Sequence, residues 1–292
     1  MHKSHLVIAA AASAALSLSA CSSVSHELIT APVANGADAP ASGARAAHVA
    51  SCDNVPDLEH PLVVGNYNIK SGVWTSLDEV GTVLLGMNAD VIALEEVDRG
   101  MKRSGSVDES EVLAKRLGAE HVFAGTLNFD GGTYGIALLS KLPIVNVARF
   151  DLPRANGFEP RVAIDATVCA GKTPLHVIAA HADFLPWSSE AQAKAIAQHI
   201  GNDRGVVVLG DFNAAPSATG MKGLISQHGD ALAQYDEGAT FPGTDTRIDY
   251  ILTSRGVTAA KRVQSKASDH FAVMATINLA PPRELSALSA AN

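Results

Sequence analysis

The chain has 292 residues, 47% of them hydrophobic, enough to build one large domain with a real core. It carries 22 basic against 30 acidic residues, a net charge of -8, and no run of Lys or Arg, which argues against a processive binder of long nucleic acid. Three cysteines are too few for a thiolate-rich zinc site.

Residues 1–20 read as a lipoprotein signal peptide: His2 and Lys3 give a basic start, and the apolar stretch from Leu6 to Leu18 is too short to cross a bilayer comfortably. Leu18-Ser19-Ala20-Cys21 resembles a bacterial lipobox, which makes Cys21 the lipidated residue and the protein an exported outer-membrane lipoprotein, periplasmic or surface-facing. The alternative is an ordinary secretory signal that ends by chance on a cysteine. With Cys21 lipidated, Cys52 and Cys169 remain; in an oxidising compartment they pair, or they stay as two buried thiols, and spacing does not choose. Residues 21–60, rich in Ala, Ser, Gly and Pro, read as a flexible tether, 61–280 as one domain and 281–292 as a C-terminal tail.

From Pro61 onward short apolar runs alternate with helical patterns. Strands are predicted at Leu62–Asn68, Val91–Glu95, Val122–Gly125, Ile136–Ser140, Ile144–Phe150, Val162–Val168, Leu175–His181, Val206–Leu209, Ile248–Thr253 and Phe271–Asn278. Helices are predicted to begin at Ser76, with Glu79 completing a capping box, near Asp108, at Ser189 with Gln192 as its box partner, and near Ser217. Many strands are too close in sequence for a crossover helix. The sheet is therefore expected to be mixed, with hairpins, and covered by helices.

Several strands end in residues a core does not need: "NYNIK", "LEEV", "HAD", "GDFN", and then "RIDYI" and "SDHF". Taken singly each has an ordinary explanation. Asp211 and Asn213 can form an Asx turn, strict alternation would send one of Glu95 and Glu96 to solvent, and a lone His181 is more often structural than catalytic. As a set converging off strand ends, they would line one crevice.

In this order the set resembles the endonuclease/exonuclease/phosphatase superfamily, which includes DNase I-like and neutral sphingomyelinase-like enzymes. "GDFN", "RIDYI" and "SDH" carry the resemblance over about Pro61 to Leu279, and "EEVDRGMKRSG" and "GGTYGIALLSKLPI" are similar to its small bacterial members. It implies a four-layer α/β sandwich of two packed mixed sheets flanked by helices. It implies Asn68, Glu96 and Asp269 at the metal, with Glu95-Glu96 standing where the family has Gln-Glu. It implies His181, Asp211, Asn213, Asp249 and His270 as the catalytic set, Asp249 orienting His270. Arg161 and Tyr134 match phosphate-facing positions with less specificity. The oxygen-rich ligands suit Mg²⁺ or Mn²⁺.

The expected activity is metal-dependent phosphoester hydrolysis, more a phosphodiesterase than a monoesterase, on phospholipid head groups or nucleic acid and nucleotides. Asp211 would hold and deprotonate the attacking water, and Asn213 would donate to a phosphoryl oxygen. Which of His181 and His270 serves the leaving group stays open. A membrane contact is expected only through the N-terminal lipid, with no obligate protein partner. The alternative from another class is a non-catalytic, membrane-tethered binding module on the same fold.

Overall fold

The computed structural model describes residues 25–27, 51–156, 159–236 and 238–280. The signal peptide, Cys21, most of the tether and the C-terminal tail lie outside the described residues. In chain order the elements are β1 (Ser25–Glu27), β2 (Leu62–Asn68), α1 (Leu77–Met87), β3 (Val91–Arg99), α2 (Glu109–Leu117), β4 (Glu120–Phe129), β5 (Gly132–Ser140), β6 (Ile144–Leu152), β7 (Arg161–Ala170), β8 (Thr173–His181), α3 (Pro186–Ile200), β9 (Val207–Asp211), α4 (Thr219–His228), β10 (Asp249–Thr253), β11 (Val257–Val263) and β12 (Ala272–Ile277).

They form two mixed sheets, one in the order β1-β4-β5-β3-β2-β12-β11 and one in the order β10-β9-β8-β7-β6. Three apolar clusters make the layers. One, with Val64, Leu138, Ile164, Val177 and Ile251, fills the space between the sheets. A second joins α1 and α2 to the first sheet through Val80, Leu84, Leu113 and Ile92. The third joins α3 and α4 to the second sheet through Ile196, Leu224, Ile178 and Val208. The fold is thus the DNase I-like four-layer sandwich that the resemblance implies. Gly65 in β2 is needed for the packing, since a Cβ there would meet the Met87 side chain at 2.4 Å.

Each sheet has a parallel pair at its heart, β2 with β3 and β8 with β9, linked by a crossover through α1 and α3. Parallel pairing puts the two strands' C-terminal ends side by side, and so it sets four chain reversals on one rim.

Three readings of the sequence are corrected. The segment 21–60 is not wholly a free tether: β1 pairs in parallel with β4, Leu58 packs on the inter-sheet core, and Cys52 forms a disulfide with Cys169 at a Cα–Cα distance of 5.4 Å. The helix predicted at Ser189 starts at Pro186, whose fixed φ suits a first turn and whose missing N–H costs nothing there. Gln192 instead accepts from the Asp183 amide at 2.7 Å and donates to Pro153 O at 3.1 Å. Finally, β11 was not anticipated; it is an edge strand with mostly half-exposed or exposed residues, so it lacks the apolar run that marks the others.

Candidate active site

Register brings the second sheet's acidic residues into one row. His181 lies opposite Asp211 across the parallel β8–β9 pair, and Asp211 lies opposite Asp249 across the antiparallel β9–β10 pair. After β9 the chain turns sharply: Asp211 Oδ1 accepts from the Asn213 amide at 2.8 Å, and Asn213 adopts a φ of +49°, a region Asn tolerates. The Asx turn and the site are therefore one feature, not alternatives.

On the first sheet, Asn68 lies opposite Glu95. A bulge in β3 between Leu94 and Val97 breaks the alternation, and Glu96 sits at φ +54°. Neither glutamate is sent out to solvent: Glu95 is 1% exposed and the Glu96 side chain 19%. The sheets are joined at the rim by Asn68, whose Nδ2 is 3.1 Å from both Glu96 Oε1 and Asp211 Oδ2. Ser268 Oγ donates to Asn68 O at 2.7 Å and anchors the loop that carries Asp269 and His270. His270 Nδ1 then donates to Asp249 Oδ2 at 3.0 Å, with its Nε2 3.8 Å from Asp211 Oδ2.

The electrostatics separate the groups. Burial, then the neighbouring Asp249 carboxylate, push the Asp211 carboxyl up to about 7, against the pull of His270 and its own hydrogen bonds. Burial alone would lower His270, but Asp249, with Asp211 and Asp269 behind it, raises it to about 9. Burial and the positive charges of Arg161, His270 and Lys70 push His181 well below the usual imidazole range. His181 is therefore neutral while His270 is charged. Arg161 Nη1 stands 2.9 Å from His181 Nδ1, and a guanidinium can only donate. Asn213 Nδ2, also an N–H donor, stands 3.3 Å from Nε2, so a neutral ring accepts from only one of the two; the shorter contact, to Arg161, favours the proton on Nε2, which is 3.7 Å from Asp211 Oδ2. Asn213 Nδ2 itself donates to Ala182 O at 3.0 Å.

Two sets of groups fit a divalent cation. Glu96 and Asp269 converge on a cation already, the Lys70 ammonium, at 3.7 and 3.2 Å. Asp211, Asp249 and His270 place three candidate ligand atoms within 4.8 Å of one another, a set open to a cation only where His270 gives up a proton. Between the sets lies Glu95, buried with both carboxylate oxygens meeting no geometric hydrogen-bond partner among the described residues and pushed well above the carboxylate range by burial and the adjacent acids. Such a donor set, hard and rich in oxygen, suits Mg²⁺ or Mn²⁺. Arg161 is buried and pairs with Glu159 at 2.8 Å, next to Tyr134, whose hydroxyl burial raises while Arg161 opposes the shift. All ten site residues expected within the domain thus gather on one rim; Cys21 lies outside the described residues.

Residues 65–270 match the model of the Endonuclease/Exonuclease/phosphatase family. The chain belongs to that family. The family consists in general of hydrolases acting on phosphoester bonds, and its members typically use divalent metals. Among solved structures, the chain is similar to a family protein from Beutenbergia cavernae DSM 12333, with a TM-score of 0.64 and 21% identity over 75% of this chain and 72% of that one. It is similar to a mannosyl-6-phosphatase from Bacteroides thetaiotaomicron VPI-5482, with a TM-score of 0.60 and 16% identity over 74% of this chain and 99% of that one. The human Nocturnin catalytic domain with bound sulfate gives a TM-score of 0.59 and 22% identity over 76% of this chain and 95% of that one. At these identities the likeness shows the fold alone. A comparison with curated protein sequences gives no match.

Sequence reasoning missed Lys70, the cation between Glu96 and Asp269, and Asn66, whose Nδ2 reaches Asp249 Oδ1 at 3.5 Å. Both stand in the quoted "NYNIK", where a polar residue at every second position of a buried strand was the available signal. Phe184, in the loop after His181, and Trp187, in the first turn of α3, are exposed.

Proposed function

We propose that the protein is an exported, divalent-metal-dependent phosphodiesterase, tethered by lipid at Cys21 and acting on phospholipid head groups or on nucleic acid and nucleotides. The observation that carries the chemistry is geometric: two buried imidazoles, His181 and His270, place Nε2 at 3.7 and 3.8 Å from the same oxygen, Asp211 Oδ2, and His270 Nδ1 is held by Asp249 at 3.0 Å; burial and Asp249 raise the Asp211 carboxyl, which favours it as a base. The disulfide between Cys52 and Cys169 supports export, because such bonds persist in oxidising compartments.

Asp211 takes a proton from the attacking water as the new oxygen–phosphorus bond forms. With Nδ1 accepting from Arg161, His181 Nε2–H would donate to a phosphoryl oxygen, and Asn213 Nδ2, one hydrogen held by Ala182 O, would turn the other from the ring to that oxygen; one such donor is worth a few kcal/mol. Arg161 holds His181 in the donating tautomer and adds positive charge beside the phosphoryl group. The phosphorus–oxygen bond to the leaving group breaks, and His270 Nε2–H supplies that oxygen with a proton. Asp249 keeps the His270 ring charged and oriented. Asn68, Glu96 and Asp269 would hold a Mg²⁺ or Mn²⁺, which would supply Lewis-acid neutralisation of the phosphoryl charge.

Purified protein incubated with bis-p-nitrophenyl phosphate and Mg²⁺ or Mn²⁺ tests this reading. Release of p-nitrophenol that EDTA stops and added metal restores is expected. Calorimetric metal binding without turnover of this ester, plasmid DNA, RNA or sphingomyelin would instead make the chain a tethered binding module.

A further inference from the structure

The motif "EEVDRGMKRSG" builds more than the metal glutamate. It continues past the bulge into Asp98 and, through a short 3₁₀ turn at Lys102–Ser104, into Arg103. Asp98 is fully buried, and it accepts from Arg103 Nε at 2.7 Å and from Nη2 at 2.7 Å. The Asp98 amide donates to Glu109 Oε2 at 2.7 Å, and Glu109 is itself buried, its carboxyl pushed up to about 8 by that burial. One acid, Asp98, is thus taken out of water to hold the guanidinium, while Glu109 fixes the Asp98 backbone; burying that carboxylate costs free energy that a structural ion pair at a loop does not need to spend.

The Arg103 side chain is 36% exposed. Its Cζ lies 4.9 Å from the Phe129 ring centre and 5.5 Å from that of Tyr134, so two aromatic faces also fix its position. Nη2 donates to Ser71 Oγ at 2.9 Å, in a segment where Lys70, Ser71 and Gly72 all have φ between +52° and +54°. Strained backbone of this kind persists where the surroundings impose it. Arg103 thereby sits between Ser71, the neighbour of Lys70, and Tyr134, the neighbour of Arg161. Its Nη1 makes no hydrogen bond among the described residues. A fixed guanidinium with one edge held by Asp98 and a free donor at the rim matches a phosphate.

We propose that Arg103 binds a second phosphate group of the substrate, carried beside the scissile phosphoester, with Asp98 as its positioning residue. The assignment rests on the phosphoester reading of the cup, and it names the substrate class: organic esters with two phosphates. Calorimetry on the full chain with excess Mg²⁺ tests it without requiring turnover. Propyl phosphate, propane-1,3-diol bisphosphate and the dinucleotide pTpT are titrated into wild type, Arg103→Ala, Arg103→Lys and Asp98→Asn.

In wild type at least one of the doubly phosphorylated ligands should bind about tenfold tighter than propyl phosphate. Arg103→Ala should erase that ratio without weakening propyl phosphate, Arg103→Lys should restore part of it, and Asp98→Asn should reduce it. Tightening with pTpT alone assigns the second phosphate to a nucleic-acid strand, and tightening with the diol ester alone to a small bisphosphate; both uphold Arg103. A wild-type ratio near one for both ligands, or an equal loss for all three ligands in Arg103→Ala, overturns it. Absence of diester turnover alongside an Arg103-dependent ratio would overturn the hydrolase reading and leave the phosphate site standing.

Discussion

At the scale of the residue, the site is a set of ionisable groups driven apart by a few ångströms of placement. His181 and His270 are both buried imidazoles, yet one faces a guanidinium and the other a carboxylate, so one is neutral and the other charged. Changing Asp249→Asn keeps the shape of the side chain and removes the charge that sustains His270. We expect kcat for a phosphodiester to fall about 10²- to 10⁴-fold, the range for a lost acid or base, with the circular dichroism spectrum unchanged; a loss below threefold would show that His270 works without its carboxylate. Glu95 makes the same point from the other side. Where the family pattern has an amide, this chain buries a carboxyl whose two oxygens meet no geometric hydrogen-bond partner among the described residues, a departure visible in the sequence, though not its consequence.

At the scale of the element, local signals set most boundaries. Ser76 and Glu79 cap α1 reciprocally, with Glu79 N 3.2 Å from Ser76 Oγ and Ser76 N 3.2 Å from Glu79 Oε2. Ser76→Ala should cost about 1 kcal/mol in urea unfolding; no change would mean that the first turn is held by packing alone. On the other face α3 is tied to the second sheet by Asp165, which lies 3.0 Å from His176 and 2.7 Å from His199, while Asp203 meets His176 at 2.7 Å. Burial opposes the charge on His176, but the two acids raise its pKa, and the histidines lower those of Asp165 and Asp203. A raised histidine stabilises fully below its unfolded value near 6.5 and is lost as pH climbs through the folded one; lowered acids stabilise above about 3.9 and are lost as pH falls. The melting temperature gap between wild type and His176→Gln should therefore be widest between about pH 4 and 6.5 and narrow at higher pH, and a gap that widens toward pH 9 would contradict the linkage. The strands ending in Asn68, His181 and Asp211 were legible because buried apolar runs stop on polar residues. The β3 bulge was not, because nothing in "LEEV" distinguishes a regular strand from one that turns both glutamates inward. Nor was the start of α3, where a serine and a glutamine at capping distance serve a neighbouring loop instead.

At the scale of the whole molecule, the candidate site exists only because two sheets meet with their parallel pairs aligned, and the hydrogen bonds from Asn68 to Glu96 and Asp211 join them at the rim. Pairing within each sheet follows from local pattern, but which sheet edge faces which is decided by long-range packing, and it was the family resemblance, not periodicity, that anticipated four layers. The Cys52–Cys169 disulfide ties the segment before β2 to the end of β7 across 117 residues. Replacing both cysteines with serine should lower the unfolding free energy by about 2–4 kcal/mol, read as a shifted denaturant midpoint; an unchanged midpoint would show that packing of Leu58 and its neighbours suffices. The central claim concerns the cup as a unit. The most direct measurement is kcat/KM for bis-p-nitrophenyl phosphate with saturating Mn²⁺ in wild type and in Asp211→Asn, the variant checked for an intact fold. The account predicts turnover in wild type and a loss of at least about 10²-fold in the variant; equal rates in the two proteins would contradict it.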